Sequence, residues 1–349
     1  MLRTVMRSGG SGGAASSAAA HHQHSSSSDS ALQALVVPTA DAHGSEYIAP
    51  CDARREYLTK FTGSAGTAVV TLKEAALWTD GRYFLQAVAE MDPASWVLMK
   101  DRLPGTATIG EWLNEVLAAE GGGARVGADP YTMSYEGWLR LERELAEGGN
   151  LLVATPANLV DAVWGSGRPA RPSEPVLPLD IAFTGRRWQE KVEEVRGEMR
   201  AKGASLLVLT ALDDVAWLLN LRGADIEYNP VFFAYAIVTL EKTVLFIEES
   251  KLTASALAHL QQPTDDPMDS LPASSTSSNS SSPNHSNRST PNGANLDGKS
   301  AASEMSNKSS YALVNLVPES RRLLTGVSPV TARKAIKNEV EIAGMRRAH

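Results

Sequence analysis

Two stretches of this sequence place apolar and polar residues in the same order: VTLKEAALW at Val70–Trp78 and VTLEKTVLF at Val238–Phe246, 168 positions later. In each stretch, apolar residues flank a short charged turn, which is typical of an antiparallel hairpin. Upstream, Asn220–Gly223 takes the place of Lys60–Gly63 at an offset of 160, so the second copy has about eight extra residues before its strand. This shared pattern favours a duplicated unit.

The residues around the first copy alternate short apolar runs with amphipathic ones, which predicts an α/β domain over residues 31–165. We predict a buried strand at Ala34–Val37 and a hairpin that pairs Ala68–Thr71 with Ala76–Trp78. The Asp80–Gly81 turn then leads into a helix over Arg82–Met91, with Asp80 as its cap. Further strands are predicted at 96–99, near 126 and at 151–154, and further helices at 109–119 and 134–146.

Prolines end this alternation between Arg168 and Pro178. Because proline fixes φ and lacks a backbone donor, residues 166–184 are predicted to be a linker. The second unit, residues 185–337, is expected to begin with a helix over Arg187–Lys202. It continues with a strand at 206–209, a helix at 213–219 and hairpin strands at 232–239 and 243–247. The sequence therefore predicts two α/β domains in tandem.

Two segments differ in composition from the rest. Residues 1–30 are rich in Gly, Ser and Ala, and residues 263–310 are rich in Ser, Asn and Pro. Neither segment can bury enough apolar area to offset its chain entropy. We expect a disordered tail and a disordered insertion in the second domain. Arg3, Arg7 and the serines of the tail also suggest import into mitochondria or plastids as an alternative to a plain extension.

The composition excludes several classes of protein. The net charge is −7, and the sequence has no cluster of Lys or Arg of the kind that binds nucleic acid, so a nucleic-acid partner is not expected. No apolar run approaches the roughly 18 residues of a membrane span. Cys51 is the only cysteine, so no internal disulfide can form, which suits a reducing compartment. We expect its thiol to be buried and without a catalytic role.

Catalytic signatures are missing from the parts that are predicted to fold. Those parts contain His43, His259 and His349, but no His-x-x-x-His, cysteine pair or Gly-x-Ser-x-Gly. No metal site is therefore expected in this chain. Asp213 and Asp214 are adjacent carboxylates, but helix neighbours point about 100° apart. We interpret them as a solvated helix start.

Four dense strings carry more information than any single residue. They are DAHGSEYIAP at Asp41–Pro50, FTGSAGTA at Phe61–Ala68, WTDGRYFLQA at Trp78–Ala87, and NLRG at Asn220–Gly223 followed by NPVFFAYA at Asn229–Ala236. Together they resemble the cytosolic Xaa-Pro aminopeptidases, the aminopeptidase P family. The resemblance runs from about Leu32 to His349 and is interrupted by the low-complexity insertion.

This resemblance implies a three-domain enzyme. Two creatinase N-terminal-type domains, each a mixed sheet flanked by helices, precede a pita-bread catalytic domain. In the family, the catalytic domain holds a dinuclear manganese site through two Asp, one His and two Glu, and a bridging hydroxide attacks the bond before proline. The resemblance also implies a homodimer, a cytoplasmic location and substrates with proline at the second position.

None of the five family ligands is found here, so we expect an inactive N-terminal part that lacks the catalytic domain. Residues 338–349 should open the helix that enters that domain. Without it, the apolar side chains of this helix should be exposed, namely Val340, Ile342, Ala343 and Met345.

One functional residue of the family maps onto this sequence. Arg82 resembles the N-terminal-domain arginine that contacts bound peptide near the active site. The alternative is a local ion pair at the helix start, and Arg222 is interpreted as structural. For the whole chain, the alternatives are a stand-alone interaction module with the same fold, or a creatine amidinohydrolase, whose resemblance to the four strings is weaker.

Overall fold

The computed structural model describes residues 1–8, 31–262 and 302–349. They form two α/β domains, each built on one mixed sheet, so the predicted fold class is confirmed. Within these residues, no helix combines the length and the hydropathy that crossing a bilayer requires.

The first domain has a six-stranded sheet. Its strands are β1 (Ala34–Pro38), β2 (Thr67–Thr71), β3 (Ala75–Thr79), β4 (Val97–Lys100), β5 (Arg125–Ala128) and β6 (Leu151–Ala154). Their spatial order is β4-β3-β2-β1-β5-β6. β1 is central because its first four residues are buried on both faces, and it pairs antiparallel with β2 and parallel with β5.

Helices cover both faces of this sheet. They are α1 (Leu2–Arg7), α2 (Arg54–Thr59), α3 (Phe84–Glu90), α4 (Ile109–Leu117), α5 (Tyr135–Glu147) and α6 (Leu159–Trp164). Because strand side chains alternate, Leu35 and Val37 enter one hydrophobic core while Ala34 and Val36 enter the other. Thr108 and Glu111 form a capping box at the start of α4.

The second domain repeats the sheet with five strands. Its elements are β7 (Leu177–Pro178), α7 (Ile181–Thr184), α8 (Trp188–Ala201), β8 (Ala204–Leu209), α9 (Leu212–Leu219), β9 (Leu221–Arg222), β10 (Ala234–Thr239), β11 (Thr243–Ile247), α10 (Ala254–Leu260), β12 (Ala302–Ser306), α11 (Tyr311–Val314), β13 (Arg322–Thr325), α12 (Pro329–Ala335) and α13 (Glu339–Ala348). The order β11-β10-β8-β12-β13 corresponds to β3-β2-β1-β5-β6 of the first domain. β7 and β9 form a separate two-stranded sheet.

The two hairpins share one register. Val70 faces Ala75, and Val238 faces Thr243, at the offset of 168 that the sequence shows. The turns are also equivalent, since the Thr71 amide donates to the Glu74 carbonyl at 2.8 Å and the Thr239 amide donates to the Lys242 carbonyl at 2.8 Å. Equal register, turn bonding and strand order support the duplication that the sequence pattern suggests.

Two predictions of disorder are wrong in part. Residues 2–7, placed in the disordered tail, form α1, whose Leu2 and Met6 are buried in a core of the first domain. Residues 302–306, placed in the insertion, form β12, which pairs parallel with both β8 and β13. Residues 307–310 of the predicted insertion are also described, and Ser309 and Ser310 are buried. Residues 9–30 and 263–301 lie outside the described residues.

The end of the described chain is only partly exposed. α13 forms where the sequence predicts it, and its Ile342 and Met345 are 38% and 52% exposed. Asn338 Nδ2, however, donates to the Thr184 carbonyl at 2.8 Å, and Trp217 Nε1 donates to Glu341 Oε1 at 3.0 Å. The helix therefore packs on the second domain along one side, contrary to the expectation that it has no partner.

Candidate functional site

Arg82 lies at the carboxyl end of β3, in the turn that leads into α3. Asp80 Oδ1 accepts from Arg82 Nε at 2.9 Å, and Asp80 Oδ2 accepts from Arg82 Nη2 at 2.8 Å. This pairing lowers the pKa of the Asp80 carboxyl to about 2 and raises that of the Arg82 guanidinium. The Arg82 side chain is nevertheless 66% exposed, and its guanidinium lies 5.0 Å from the Tyr83 ring centroid. The structure thus contains the local ion pair and also leaves one face of Arg82 open to a ligand.

Asp80 does not cap α3 as predicted. The residue before the helix is Tyr83, and no side chain caps the first turn. Asp80 instead accepts the Arg82 amide at 3.0 Å, together with its guanidinium. The carboxylate therefore orients Arg82 rather than α3.

The strings Phe61–Ala68 and Trp78–Ala87 meet beneath Arg82. Tyr83 Oη and Ser64 Oγ are 2.6 Å apart, and Thr79 Oγ1 donates to the Ala65 carbonyl at 2.6 Å. A Cβ on Gly66 would come within 2.8 Å of the Trp78 carbonyl oxygen, so glycine permits this close approach. The two strings form one rigid support for the turn that carries Arg82.

Arg55 is a buried part of this support that sequence reasoning missed. Its guanidinium donates to Thr39 Oγ1 at 2.8 Å, to the Phe61 carbonyl at 2.7 Å and to the Gly63 carbonyl. None of these acceptors is a carboxylate, and burial lowers the pKa of Arg55 to about 10. The only sign of this role in the sequence is that Arg55 lies nine residues before Ser64, close to the string Phe61–Ala68. Arg55 fixes the loop that bonds to Tyr83.

The string Asp41–Pro50 joins the two domains. Asp41 Oδ1 accepts the amides of His43 and Ser45 at 3.0 and 2.9 Å. His43 Nδ1 lies 3.1 Å from the Thr210 carbonyl of the second domain, and the His43 ring stacks on Tyr235 with 4.4 Å between centroids. Burial lowers the pKa of His43, which favours the neutral ring.

The string Asn220–Gly223 also has a structural role in packing. Asn220 Oδ1 accepts from Lys191 Nζ at 2.7 Å, and Lys191 lies 4.1 Å from the Trp217 ring centroid. Burial lowers the pKa of Lys191 to about 8. Arg222 is exposed on β9, and its interpretation as structural stays a prediction.

The adjacent acids of α9 behave differently from each other. Asp213 is largely solvated, but Asp214 is 2% exposed, so the predicted solvated pair is wrong for Asp214. Its carboxylate accepts from Ser328 Oγ at 2.8 Å, Thr331 Oγ1 at 2.6 Å and Lys334 Nζ at 2.7 Å. Asp214 is therefore an internal anchor for α12.

Cys51 is buried, as predicted, and the structure places it in a small core formed by residues of both domains. Burial, and next the nearby Asp52 carboxylate, raise the pKa of its thiol. A protonated, buried thiol is a poor nucleophile. This environment agrees with the absence of a catalytic role.

Comparisons with known proteins place these features in a family. Residues 26–162 and residues 167–341 each match a family model described as the creatinase/prolidase N-terminal domain, and the second match alone covers half of the chain. The chain belongs to the creatinase/prolidase family. Its two domains therefore correspond to two N-terminal domains of that family.

Similar proteins share both sequence and structure with these creatinase/prolidase domains. The chain is 44% identical to a probable Xaa-Pro aminopeptidase P from Penicillium rubens, over 90% of this chain and 49% of that protein. It is 43% identical to one from Aspergillus clavatus, over 90% and 46%. The solved X-prolyl aminopeptidase of Caenorhabditis elegans, described as a cytosolic enzyme with a dinuclear active site, superimposes with a TM-score of 0.77 at 31% identity. That match covers 91% of this chain and 49% of the solved chain. The chain thus spans about half the length of its curated relatives.

A dinuclear metal site of the kind described for that relative does not fit the side chains seen here. Over residues 1–8, 31–262 and 302–349, no three His, Cys, Asp or Glu side chains cluster in a way that could hold a metal ion. Of the histidines, His259 Nε2 contacts the Leu219 carbonyl at 2.9 Å, and His43 packs against aromatic rings.

Proposed function

We propose that this chain is the N-terminal, peptide-contacting part of a metal-dependent Xaa-Pro aminopeptidase, which removes a residue that precedes proline. The observation that carries the proposal is the match with the nematode X-prolyl aminopeptidase, which extends over both domains in one superposition. Two curated fungal relatives with the same name support it through identities of 43–44%.

In this proposal, metal binding and peptide contact belong to different parts of the enzyme. The metals, a manganese pair in this proposal, are held outside the described residues, and this chain supplies Arg82. Asp80 and the Tyr83–Ser64 contact hold the turn, while the exposed guanidinium donates to a carboxylate or carbonyl of the peptide. A cytoplasmic location and a homodimer belong to the same proposal.

The first experiment tests the chain alone. We expect the purified chain to bind no stoichiometric Mn²⁺ in equilibrium dialysis and to release no amino acid from Arg-Pro-Pro. Turnover above the buffer blank that a chelator abolishes would contradict this expectation.

The second experiment joins this chain to the C-terminal half of the Penicillium rubens relative. The chimera should cleave Arg-Pro-Pro in the presence of Mn²⁺, and the C-terminal half alone should be much less active. If the chimera folds and does not cleave, the alternative of a stand-alone interaction module is favoured instead.

A further inference from the structure

A second concave surface lies beside the support of Arg82. It is a groove of about 640 Å³ between the first domain, the segment after α6 and the turn Ile226–Asn229 of the second domain. We call it the aromatic groove, after Tyr47, Tyr57, Trp164 and Tyr228, which line it together with Pro50 and Pro169.

Tyr228 occupies an unusual position in this groove. The Asn229 amide donates to the Ile226 carbonyl at 3.0 Å, and Tyr228 at the corner of this tight turn has a φ of 62°. A bulky residue in the left-handed region costs about 1–3 kcal/mol, and glycine would avoid that cost. Tyr228 is also 94% exposed and its hydroxyl bonds the neighbouring Glu227 carboxylate, so packing of the ring within the chain does not explain the tyrosine. A ligand that stacks on the ring would explain it.

The other side of the groove offers a second aromatic platform. Tyr57 and Trp164 stack with 4.6 Å between centroids and 17° between planes, and Tyr47 is 52% exposed nearby. Aromatic side chains spaced along a groove are the usual means of binding an extended proline-containing peptide, because the stiff polyproline II conformation lets proline rings pack on aromatic faces at little entropic cost.

The charges that line the groove select for cations. Glu46, Glu56 and Glu227 are exposed carboxylates. Lys60 is the one exposed cation among the described lining residues, because the guanidinium of Arg55 is buried and bonded to backbone carbonyls. The groove therefore favours a peptide that carries Arg or Lys between its prolines.

The aromatic groove lies next to the support of Arg82, although Arg82 itself does not line it. Ser64 lines the groove and also bonds the Tyr83 hydroxyl, and Tyr83 lies beside Arg82. A peptide held at Arg82 by its first residues would enter the groove past Tyr83 and Ser64.

We propose that the aromatic groove binds the distal part of a peptide substrate, an extended segment that contains prolines and basic residues. This inference rests on the proposed function, since it takes the ligand to be the continuation of the substrate. The prolines stack on Tyr228 and on the Tyr57–Trp164 pair, and the basic side chains meet the carboxylates.

The test uses the full chain and a peptide that cannot be cleaved, acetyl-Arg-Pro-Pro-Arg-Pro-Pro-Arg-amide, in isothermal titration calorimetry. The chain should bind this probe, and affinity should fall with added salt. Tyr228→Gly should weaken binding about threefold to tenfold, as expected for one lost aromatic contact. Its melting temperature should stay equal or rise, so unfolding cannot explain the loss. Glu227→Lys should weaken binding further.

Two controls make the result specific. Tyr131→Ala removes a tyrosine that is 59% exposed outside the groove, and it should leave binding unchanged. The peptide acetyl-Glu-Pro-Pro-Glu-Pro-Pro-Glu-amide should bind much more weakly than the basic probe. Equal affinity of the wild type and Tyr228→Gly for the basic probe, or no binding at all, overturns the proposal.

Activity of the chimera separates this proposal from the proposed function. Tyr228→Gly should raise KM for a long, basic, proline-rich substrate and leave kcat unchanged, with no effect on Arg-Pro-Pro. If Arg-Pro-Pro is cleaved and the groove variants change nothing, the groove proposal fails and the proposed function stands. Binding of the capped probe with an inactive chimera would overturn the assignment of the ligand as a substrate.

Discussion

The adjacent acids of α9 allow a matched test of the packing derived above, through Asp213→Ala and Asp214→Ala. Both side chains bond Lys334, but only Asp214 is buried and also accepts the hydroxyls of Ser328 and Thr331. Removing one partner of a buried ionic network costs about 3–5 kcal/mol, because the remaining members lose their main charged partner. Ser328 and Thr331 still bond each other at 2.9 Å without Asp214, and Lys334 still bonds Asp213, so the lower end of that range is expected. Asp213 is 65% exposed, and its loss should cost less than about 1 kcal/mol.

Urea unfolding, followed by circular dichroism, measures both costs as shifts of the midpoint at unchanged m. Asp214→Asn is the informative intermediate, since it keeps one acceptor oxygen and loses the charge. A double-mutant cycle with Lys334→Met should give a larger coupling energy for Asp214 than for Asp213. Equal destabilisation by the two alanine variants would refute the assignment of Asp214 as the anchor of α12.

Three further predictions concern the site and its pH dependence. In the chimera, Arg82→Ala should lower kcat/KM about 10- to 100-fold with little change in melting temperature, and Arg82→Lys should recover part of the loss. The control Arg143→Ala, on the outer face of α5, should have no effect. Unchanged kcat/KM in Arg82→Ala would remove that residue from the site. The pKa of Lys191 is about 8 in the folded chain and 10.5 in the unfolded chain. Between pH 8 and 10.5 the unfolded chain therefore binds more protons, and the free energy of unfolding should rise by about 3 kcal/mol over this range. Urea midpoints against pH should lose this rise in Lys191→Met, and a rise that persists would contradict the burial argument. The pKa of His43 lies below 6.5, so the unfolded chain takes up the proton first and stability should fall as pH drops below 6.5; the same titration of His43→Gln should be flatter.

Local patterns were sufficient for the hairpins and the α/β rhythm. The strand pairs Thr67–Thr71 with Ala75–Thr79, and Ala234–Thr239 with Thr243–Ile247, form where apolar runs flank a polar turn. These elements depend on neighbours a few residues away, and such contacts are visible in the order of residues.

The elements that sequence reasoning missed depend on distant partners. β12 has the sequence ASEMS, and its Glu304 is fully buried with Lys202 Nζ 2.7 Å away, so an internal strand of the sheet has the composition of a loop. α1 is short, and Arg3 Nε holds it through the Thr71 carbonyl at 2.8 Å. No periodicity within either segment could indicate such contacts.

The candidate site divides in the same way. The Asp80–Gly81 turn and the exposure of Arg82 follow from neighbouring residues. Asp80, however, was predicted to cap the helix, whereas in the structure it pairs with Arg82. The role of Arg55 could not be predicted from the sequence, because the backbone carbonyls that its guanidinium binds, such as that of Phe61, are brought to it only by folding. The aromatic groove combines residues of both domains and the segment between them, and sequence order alone does not bring them together.

The place of β12 has a consequence for the order in which the protein folds during synthesis. The sheet of the first domain is complete once residue 154 has left the ribosome, whereas β8 lacks one neighbour until β12 is made. That wait spans roughly 100 residues, or about 5–20 s at ordinary translation rates. During it, the apolar strand β8 presents an open edge to other nascent chains. The sheet of the first domain can therefore form before that of the second, which is completed only when β12 has been made.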